Sequence, residues 1–265
     1  MKVTILGCGG SGGVPLAARE PGGDWGACDP TNPKNRRRRV SIHVEAGHVE
    51  EGATSILVDT SPDLRLQLLD NGITRLDALL YTHAHGDHCH GIDDLRALAF
   101  SQGGPIDAYM DAKTRERLTR RFDYVFASSR KPNSLYPPML SDRLVDGPFQ
   151  VGEVGVVPFQ QTHGPDTTLG YRFGPAAYST DLSSLDEAAF AALAGVKLWI
   201  VDCLRFKPHP THTHFDQTME WIARVNPARA ILTHMNHEVD YDELLSRCPP
   251  GVEPGYDGLV IEIDD

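Results

Sequence analysis

No apolar run in this chain of 265 residues approaches the roughly 20 needed to cross a bilayer. The opening Met1-Lys2-Val3-Thr4-Ile5-Leu6-Gly7 lacks a leader's long apolar region and small-residue cleavage site, and reads as a first strand. Cysteines are few: Cys8, Cys28, Cys89, Cys203 and Cys248 are odd in number, scattered and free of any Cys-x-x-Cys pair. That argues against a disulfide framework and for a reducing compartment, so a cytoplasmic protein without membrane association is expected. Basic residues are outnumbered, 25 Lys+Arg against 36 Asp+Glu for a net charge of −11, and an acidic surface repels polyanions. No long nucleic acid is therefore expected as a partner. There is no Walker loop, which argues against a P-loop nucleotide site.

One segment runs against the charge balance: Lys34, Arg36, Arg37, Arg38 and Arg39 form either a solvated loop or a local rim that attracts phosphate. Elsewhere, 40% hydrophobic residues are ample for a core. Short β-branched or apolar runs bounded by Gly, Pro, Asp and Asn predict strands over residues 3–6, 40–45, 55–59, 78–82, 151–161, 169–179, 198–202, 229–233 and 259–263. Apolar spacing predicts helices over 62–69, 91–100, 112–126, 184–194, 215–224 and 241–246. Two strand-rich halves, each closed by helices, suggest two sheets packed face to face with helices outside, in one domain over 1–265. The glycine- and proline-rich stretches 19–35 and 127–148 are too long for plain connections and are candidate substrate-facing loops.

The richest segment is His83-Ala84-His85-Gly86-Asp87-His88, which leaves a predicted buried strand. Three imidazoles and a carboxylate crowded into six residues are costly without a cation and suit zinc, manganese or iron. Three more candidates stand at predicted strand ends: His163 in Thr162-His163-Gly164, Asp181 in Ser179-Thr180-Asp181, and His234 in Leu232-Thr233-His234. Singly, each is as readily a cap or a surface residue as a ligand. Together with the first segment they supply five His and two Asp, with Asp181 able to bridge two cations.

The order His-x-His-x-Asp-His, then His, Asp and His, resembles the metallo-β-lactamase superfamily over nearly the whole chain. That resemblance implies an α+β, four-layered αββα sandwich of two mixed sheets with helices outside. It implies two divalent metal ions, zinc or manganese with iron an alternative. His83, His85 and His163 would hold the first, Asp87, His88 and His234 the second, with Asp181 between them and Asp59 supporting the ligand loop. Two such cations activate a water and polarise the oxygen of the bond under attack, so no side-chain nucleophile is needed.

Further segments narrow the branch. Gly9-Gly10-Ser11-Gly12 after the first strand can bring backbone N–H groups close to an anion, although a tight turn explains the glycines equally well. In Thr211-His212-Thr213-His214-Phe215-Asp216, His214 precedes a helix outside the metal set and is the candidate to protonate a leaving oxygen or bind phosphate, while His212 reads as incidental. With His234-Met235-Asn236-His237 and Gly255-Tyr256-Asp257-Gly258-Leu259, these resemble the phosphoribosyl cyclic phosphodiesterases and close relatives of tRNase Z.

The resemblance implies a phosphodiesterase cleaving a small cyclic or nucleotide-like phosphodiester. Asp87 and His214 are then the catalytic residues, Gly9, Gly10, Ser11, Gly12 and His214 the substrate contacts, and the protein a monomer or homodimer. A tRNase Z-like RNA endonuclease, a lactone or ester hydrolase and a non-catalytic nucleotide carrier remain alternatives. One departure is expected. Some phosphodiesterase members bind a structural zinc through a cysteine cluster and a late histidine, but only Cys28 stands in that stretch, with His237 at the late position. That site should be absent or altered, its place taken by a loop involving residues 36–39.

Overall fold

Runs of aliphatic residues that would face water on neither side become the central strands. Thr54–Val58, Ala78–Leu80 and Leu198–Asp202 are buried along their whole length, the pattern of parallel strands covered on both faces. The structure, a computed structural model, describes residues 1–18, 21–47, 52–129 and 137–263. It holds two seven-stranded sheets. The first runs β14 (Val260–Glu262), β1 (Lys2–Gly7), β2 (Ser41–Ala46), β3 (Thr54–Val58), β4 (Ala78–Leu80), β5 (Ile106–Met110) and β6 (Leu140–Leu144). The second runs β13 (Val252–Pro254), β12 (Arg229–Thr233), β11 (Leu198–Asp202), β10 (Ala176–Ser179), β9 (Asp166–Phe173), β8 (Val154–His163) and β7 (Phe149–Val151).

Each sheet is antiparallel at one side and parallel at the other. In the first, β14, β1, β2 and β3 pair antiparallel and β3 to β6 parallel. In the second, β7 to β10 pair antiparallel and β10 to β13 parallel. Period-two alternation splits each inner strand between two layers. Ile56, Val58, Ala78 and Leu80 point into the core between the sheets, while Leu57, Leu79 and Tyr81 point outward into a second apolar layer. That outer layer takes in Leu64 and Leu68 of α1 (Leu64–Asp70), Leu98 and Ala99 of α3 (Arg96–Ser101), and Leu118 of α4 (Ala112–Arg121). On the other side, α5 (Glu187–Leu193), α6 (Phe215–Val225) and α7 (Tyr241–Arg247) bury Ala189, Leu193, Ile222 and Leu244. This is the α+β sandwich of two mixed sheets with helices outside.

Several expected boundaries shift for local reasons. The helix expected over 91–100 divides into a 3-10 turn, Ile92–Leu95, followed by α3. The helix expected to reach 126 stops at Arg121, where Phe122 leaves helical backbone at φ −125°. The strand expected over 151–161 is broken after β7 by Gly152 at φ 52°, and that over 169–179 after β9 by Gly174 at φ 53°. The stretch 127–148, read as a loop, contributes β6, which pairs with β5 at the sheet edge. Its residues 130–136, like 19–20 of the first long loop, lie outside the described residues. Asp caps set helix starts: Asp111 accepts from Thr114 N on α4, Asp186 from Ala189 N on α5, and Asp240 from two amides on α7. Among the described residues, no helix is long and apolar enough to cross a membrane.

The largest wholly buried side chain is Trp199 of β11, whose Nε1 donates to Ser179 Oγ at 3.0 Å. Replacing it with alanine opens a cavity between the sheet and its helices. Trp199→Ala is therefore expected to lose about 3–5 kcal/mol of stability, read from urea unfolding. An unchanged midpoint and slope would contradict this account of the core.

Candidate metal centre

Every candidate ligand stands just beyond the carboxyl end of a strand. His83 and His85 follow β4, and Asp87 and His88 lie in α2 (Gly86–Cys89), one turn later. His163 ends β8, while Asp181 and His234 follow β10 and β12. Asp59, Asp181 and His234 hold left-handed backbone at φ 62°, 55° and 58°. Among the described residues, only Asn226, at the end of α6, shares that conformation without being glycine. An L-residue is strained there, so the surrounding structure must impose it, and such strain collects at functional sites.

The folded chain gathers two ligand groups. His83, His85, His163 and Asp181 form one, and Asp87, His88, Asp181 and His234 the other, with ligand atoms in each within 4.8 Å of one another. Asp181 divides its oxygens between them. Its Oδ1 lies 3.9 Å from His83 Nε2 and 3.8 Å from His163 Nε2. Its Oδ2 lies 3.0 Å from His88 Nε2 and 3.3 Å from His234 Nε2. Asp87 Oδ2 closes the second group at 3.4 Å from His88 Nε2 and 3.7 Å from His234 Nε2.

Hydrogen bonds on the far side of the rings fix which nitrogen is free. Thr82 Oγ1 gives its one proton to Asp59 Oδ2 at 2.7 Å, so at 3.0 Å it can only accept from His83 Nδ1. His88 Nδ1 donates to Asp59 Oδ2 at 2.7 Å, and His163 Nδ1 to the Thr211 carbonyl at 2.8 Å. In the neutral form all three rings then carry a lone pair on Nε2, the arrangement a metal ligand requires. The Nε2 atoms of His83, His88 and His234 are buried without a hydrogen-bond partner. Buried polar atoms are rarely left so, and convergent lone pairs beside two carboxylates fit a divalent cation.

Electrostatics agree. Burial alone would push the Asp87 and Asp181 carboxyls up, yet the neighbouring His88 and His234 hold both below the usual carboxylate range. Burial, then the charge of His88, keeps His83 low and neutral. The pull of Asp181, Asp87 and Asp59 overcomes burial to hold positive charge on His88. Against the same burial, Asp181 and Asp87 lift His234 to about 9. The pocket demands positive charge, and a dication supplies it without protonating the ligands.

Asp59, expected to support the ligand loop, accepts from Thr82 N, Thr82 Oγ1 and His88 Nδ1 while wholly buried. The glycine-rich loop lies against His234. Gly10 N donates to Met235 O at 3.1 Å, and a Cβ on Gly10 would sit 3.4 Å from His234 O. Gly9 bridges to both Arg39 and Met235. Its glycines thus serve close backbone packing, with Ser11 and Gly12 exposed beyond them.

The structure places the two histidines of the loop before α6 differently. His214 occupies the N-cap of α6 without a side-chain cap bond, and its ring makes none of the ring contacts within the cluster. The ring at the centre is that of His212, which reads as incidental in sequence. It stacks on His234 with centroids 4.6 Å apart, meets His163 edge-on at 4.8 Å, and brings Nε2 within 3.8 Å of Asp181 Oδ1. The chain turns between the two histidines, as Leu204 N pairs with Thr213 O and Phe215 N with Arg205 O. That turn swings residue 212 inward and hands residue 214 to the helix.

Sequence reading also missed Asp202. Wholly buried at the end of β11, it accepts from His212 Nδ1 at 2.9 Å, and with His212 and His234 it forms a further compact group. Its position, an acidic residue ending an apolar strand as Asp59 follows β3, was the available signal.

Residues 54–235 match the family model described as a beta-lactamase superfamily domain. The chain belongs to the metallo-β-lactamase superfamily. A solved diphosphatase from the PhnP family superposes with a TM-score of 0.87 at 32% identity, covering 99% of this chain and 98% of that one. At the level of fold alone, Zn(2+)-bound PqqB from Methylobacterium extorquens gives 0.73 at 19% identity over 99% and 100% of the two chains. Human tRNase Z, short form, gives 0.69 at 17% identity over all of both. Among curated proteins, an octanoyltransferase of Porphyromonas gingivalis is 32% identical over 269 residues, 100% of this chain. The chain spans about half the length of that relative, 52%.

No second metal group forms at Cys28 and His237 among the described residues. Cys28 Sγ donates to Val239 O at 3.2 Å, and the His237 carbonyl accepts from Ala27 N. The buried Arg37 guanidinium fills the space, donating to Asn236 O at 3.0 Å and Asn35 Oδ1 at 3.1 Å. The other arginines of the run are also engaged: Arg36 over Trp25, Arg38 on Asp70 and Arg39 on Asp63. The run is neither a solvated loop nor a free phosphate rim but a strap between the first loop and the segment after His234. Arg37→Met is expected to cost about 1–3 kcal/mol by orphaning buried acceptors, seen as a lower melting temperature. Cys28→Ser should leave metal content unchanged; loss of a metal in that variant would restore the structural-site reading.

Proposed function

We propose that the chain is a dinuclear-metal hydrolase cleaving a small phosphodiester or diphosphate, cyclic or nucleotide-like. The observation that carries this reading is the Asp202–His212 pair, a proton donor set against Asp181 yet outside both ligand groups. His83, His85, His163 and Asp181 would hold one cation and Asp87, His88, Asp181 and His234 the other. When bound, such a pair supplies Lewis acidity and an activated water. The chain's own residues do the rest. Asp202 holds the His212 imidazole with Nδ1–H turned toward it, so Nε2 faces the ligand groups and, once it has taken up the proton released by the attacking water, carries it as the imidazolium. His212 then delivers a proton to the oxygen that leaves phosphorus. Asp59 and Thr82 keep the ligand rings oriented through the cycle.

The near full-length likeness to a diphosphatase supports phosphorus over carbon as the centre attacked. An acidic chain whose arginine run is spent on internal partners offers little to grip RNA, which weighs against the endonuclease reading. The octanoyl transfer named for the longer relative is proposed to reside outside the matched half of that protein. All five cysteines here are buried or half-buried, and burial pushes every thiol up in pKa, so none is poised as an acyl-accepting thiolate.

The test is a panel of 2′,3′-cyclic nucleotides, ribose cyclic phosphates, dinucleoside diphosphates, lactones and precursor tRNA, assayed with zinc or manganese. Phosphate substrates should turn over fastest, and Asp87→Ala should abolish turnover; full activity in that variant, or faster lactone cleavage, would sink the proposal. His212→Ala should lower kcat about 10²–10⁴-fold, most for poor leaving groups, whereas His214→Ala should stay within a few-fold of the parent. The reverse ranking would return the acid role to His214.

A further inference from the structure

The two ligand groups are supported from different sides. The second is held by the end of β3, where Asp59 takes His88 Nδ1 and Thr60 N takes the His88 carbonyl at 2.8 Å. The first is approached by α4. Lys113, Arg117 and Arg121 recur every four residues and so line one face of that helix. Lys113 Nζ pairs with Asp166 Oδ1, and Arg117 reaches Asp166 Oδ2 at 2.9 Å. Asp166 faces His163 across the closed end of the β8–β9 hairpin. Arg121 donates to the Ala84 carbonyl at 2.5 Å and lies 3.8 Å from Cys89 Sγ. Ala84 is buried between His83 and His85. The two loops are joined to each other as well, by Leu169 N to Thr82 O at 2.9 Å and Tyr171 Oη to Tyr81 O at 2.7 Å.

We propose that α4 is a cationic clamp that positions His83, His85 and His163, and so sets the metal affinity of the first ligand group independently of the second. The proposal rests on the two-cation reading of the centre. Half-exposed ion pairs add little to global stability, so the value of these three lies in where they hold the hairpin and the ligand loop. Burial opposes ionisation of Asp166, yet Lys113 and Arg117 keep it well below the usual carboxylate range, so the clamp stays charged. Arg121, Arg117 and Lys113 are positioning residues, touching no metal ligand atom and acting through the Ala84 carbonyl and Asp166.

Full-length protein loaded with zinc would be dialysed against graded chelator, with zinc per chain read by elemental mass spectrometry and the melting temperature of metal-free protein measured alongside. The parent should release its two zincs in separable steps, and His163→Ala should show which step belongs to the first group. Arg121→Met and the double variant Lys113→Met/Arg117→Met should lose that zinc at about tenfold lower chelator and keep the other within twofold. Arg121→Lys, which retains a donor, should recover most of the loss. Release of both zincs within twofold of the parent in every variant would overturn the clamp. So would parallel loss of both together with a falling metal-free melting temperature, since that marks general loosening. A parent that holds one zinc overturns the two-cation reading with it. Because no substrate enters the measurement, a failed clamp and a failed hydrolase assignment are separately visible.

Discussion

Asp181 is the constraint around which the centre is built. Its two oxygens face two different sets of imidazole nitrogens, so the one carboxylate stands between both sets. A buried carboxylate is expensive unless paired, and the rings of His83, His88, His163, His212 and His234 converge on it. The same crowding leaves His83, His88 and His234 with unpartnered nitrogens. A cation resolves both problems at once, which is why a cluster so poor in ordinary hydrogen bonds is compatible with a stable fold.

Precision at that carboxylate comes from the ends of strands. The paired sheets carry their parallel strands to one edge, where Asp59, Asp181, Asp202 and His234 emerge from rigid backbone. Strain at three of these residues is held by the packing behind them. Hydrogen bonds to Nδ1 then choose the tautomer ring by ring. The Asp202–His212 pair is attached to the same frame, so the proposed acid and the ligands share a common reference.

Loops around the edge are tied down by charge rather than by metal. Arg37 lies beside Cys28, and its guanidinium, with carbonyl and amide partners, holds the first loop to the segment behind His234. Asp257 adds to this, accepting from Cys8 N and Arg38 N, so one carboxylate ties the start of the glycine-rich loop to the arginine strap. Gly26 marks how close the packing is: at φ 58°, a Cβ there would lie 2.3 Å from the His237 carbonyl.

The paired sheets, the outer helices and the residues of both ligand groups were legible in the chain itself, because strand-length apolar runs and a dense His/Asp pattern are local signals. Breaks at Gly152 and Gly174 and the edge strand β6 were not, since a turn or an edge pairing depends on the neighbour it meets. The different placement of His212 and His214 was decided by tertiary structure alone. Two residues apart on one loop, they differ only in that a backbone turn aims one ring at Asp202 and His234 and leaves the other at a helix start. Asp202 itself became meaningful only when β11 was laid beside β12, bringing a carboxylate from one strand end against His234 from the next and His212 from the loop before α6. Sequence determined which chemical groups the centre could use; three-dimensional packing determined which of two similar groups reached it, because direction is a property of the folded backbone and not of the residue.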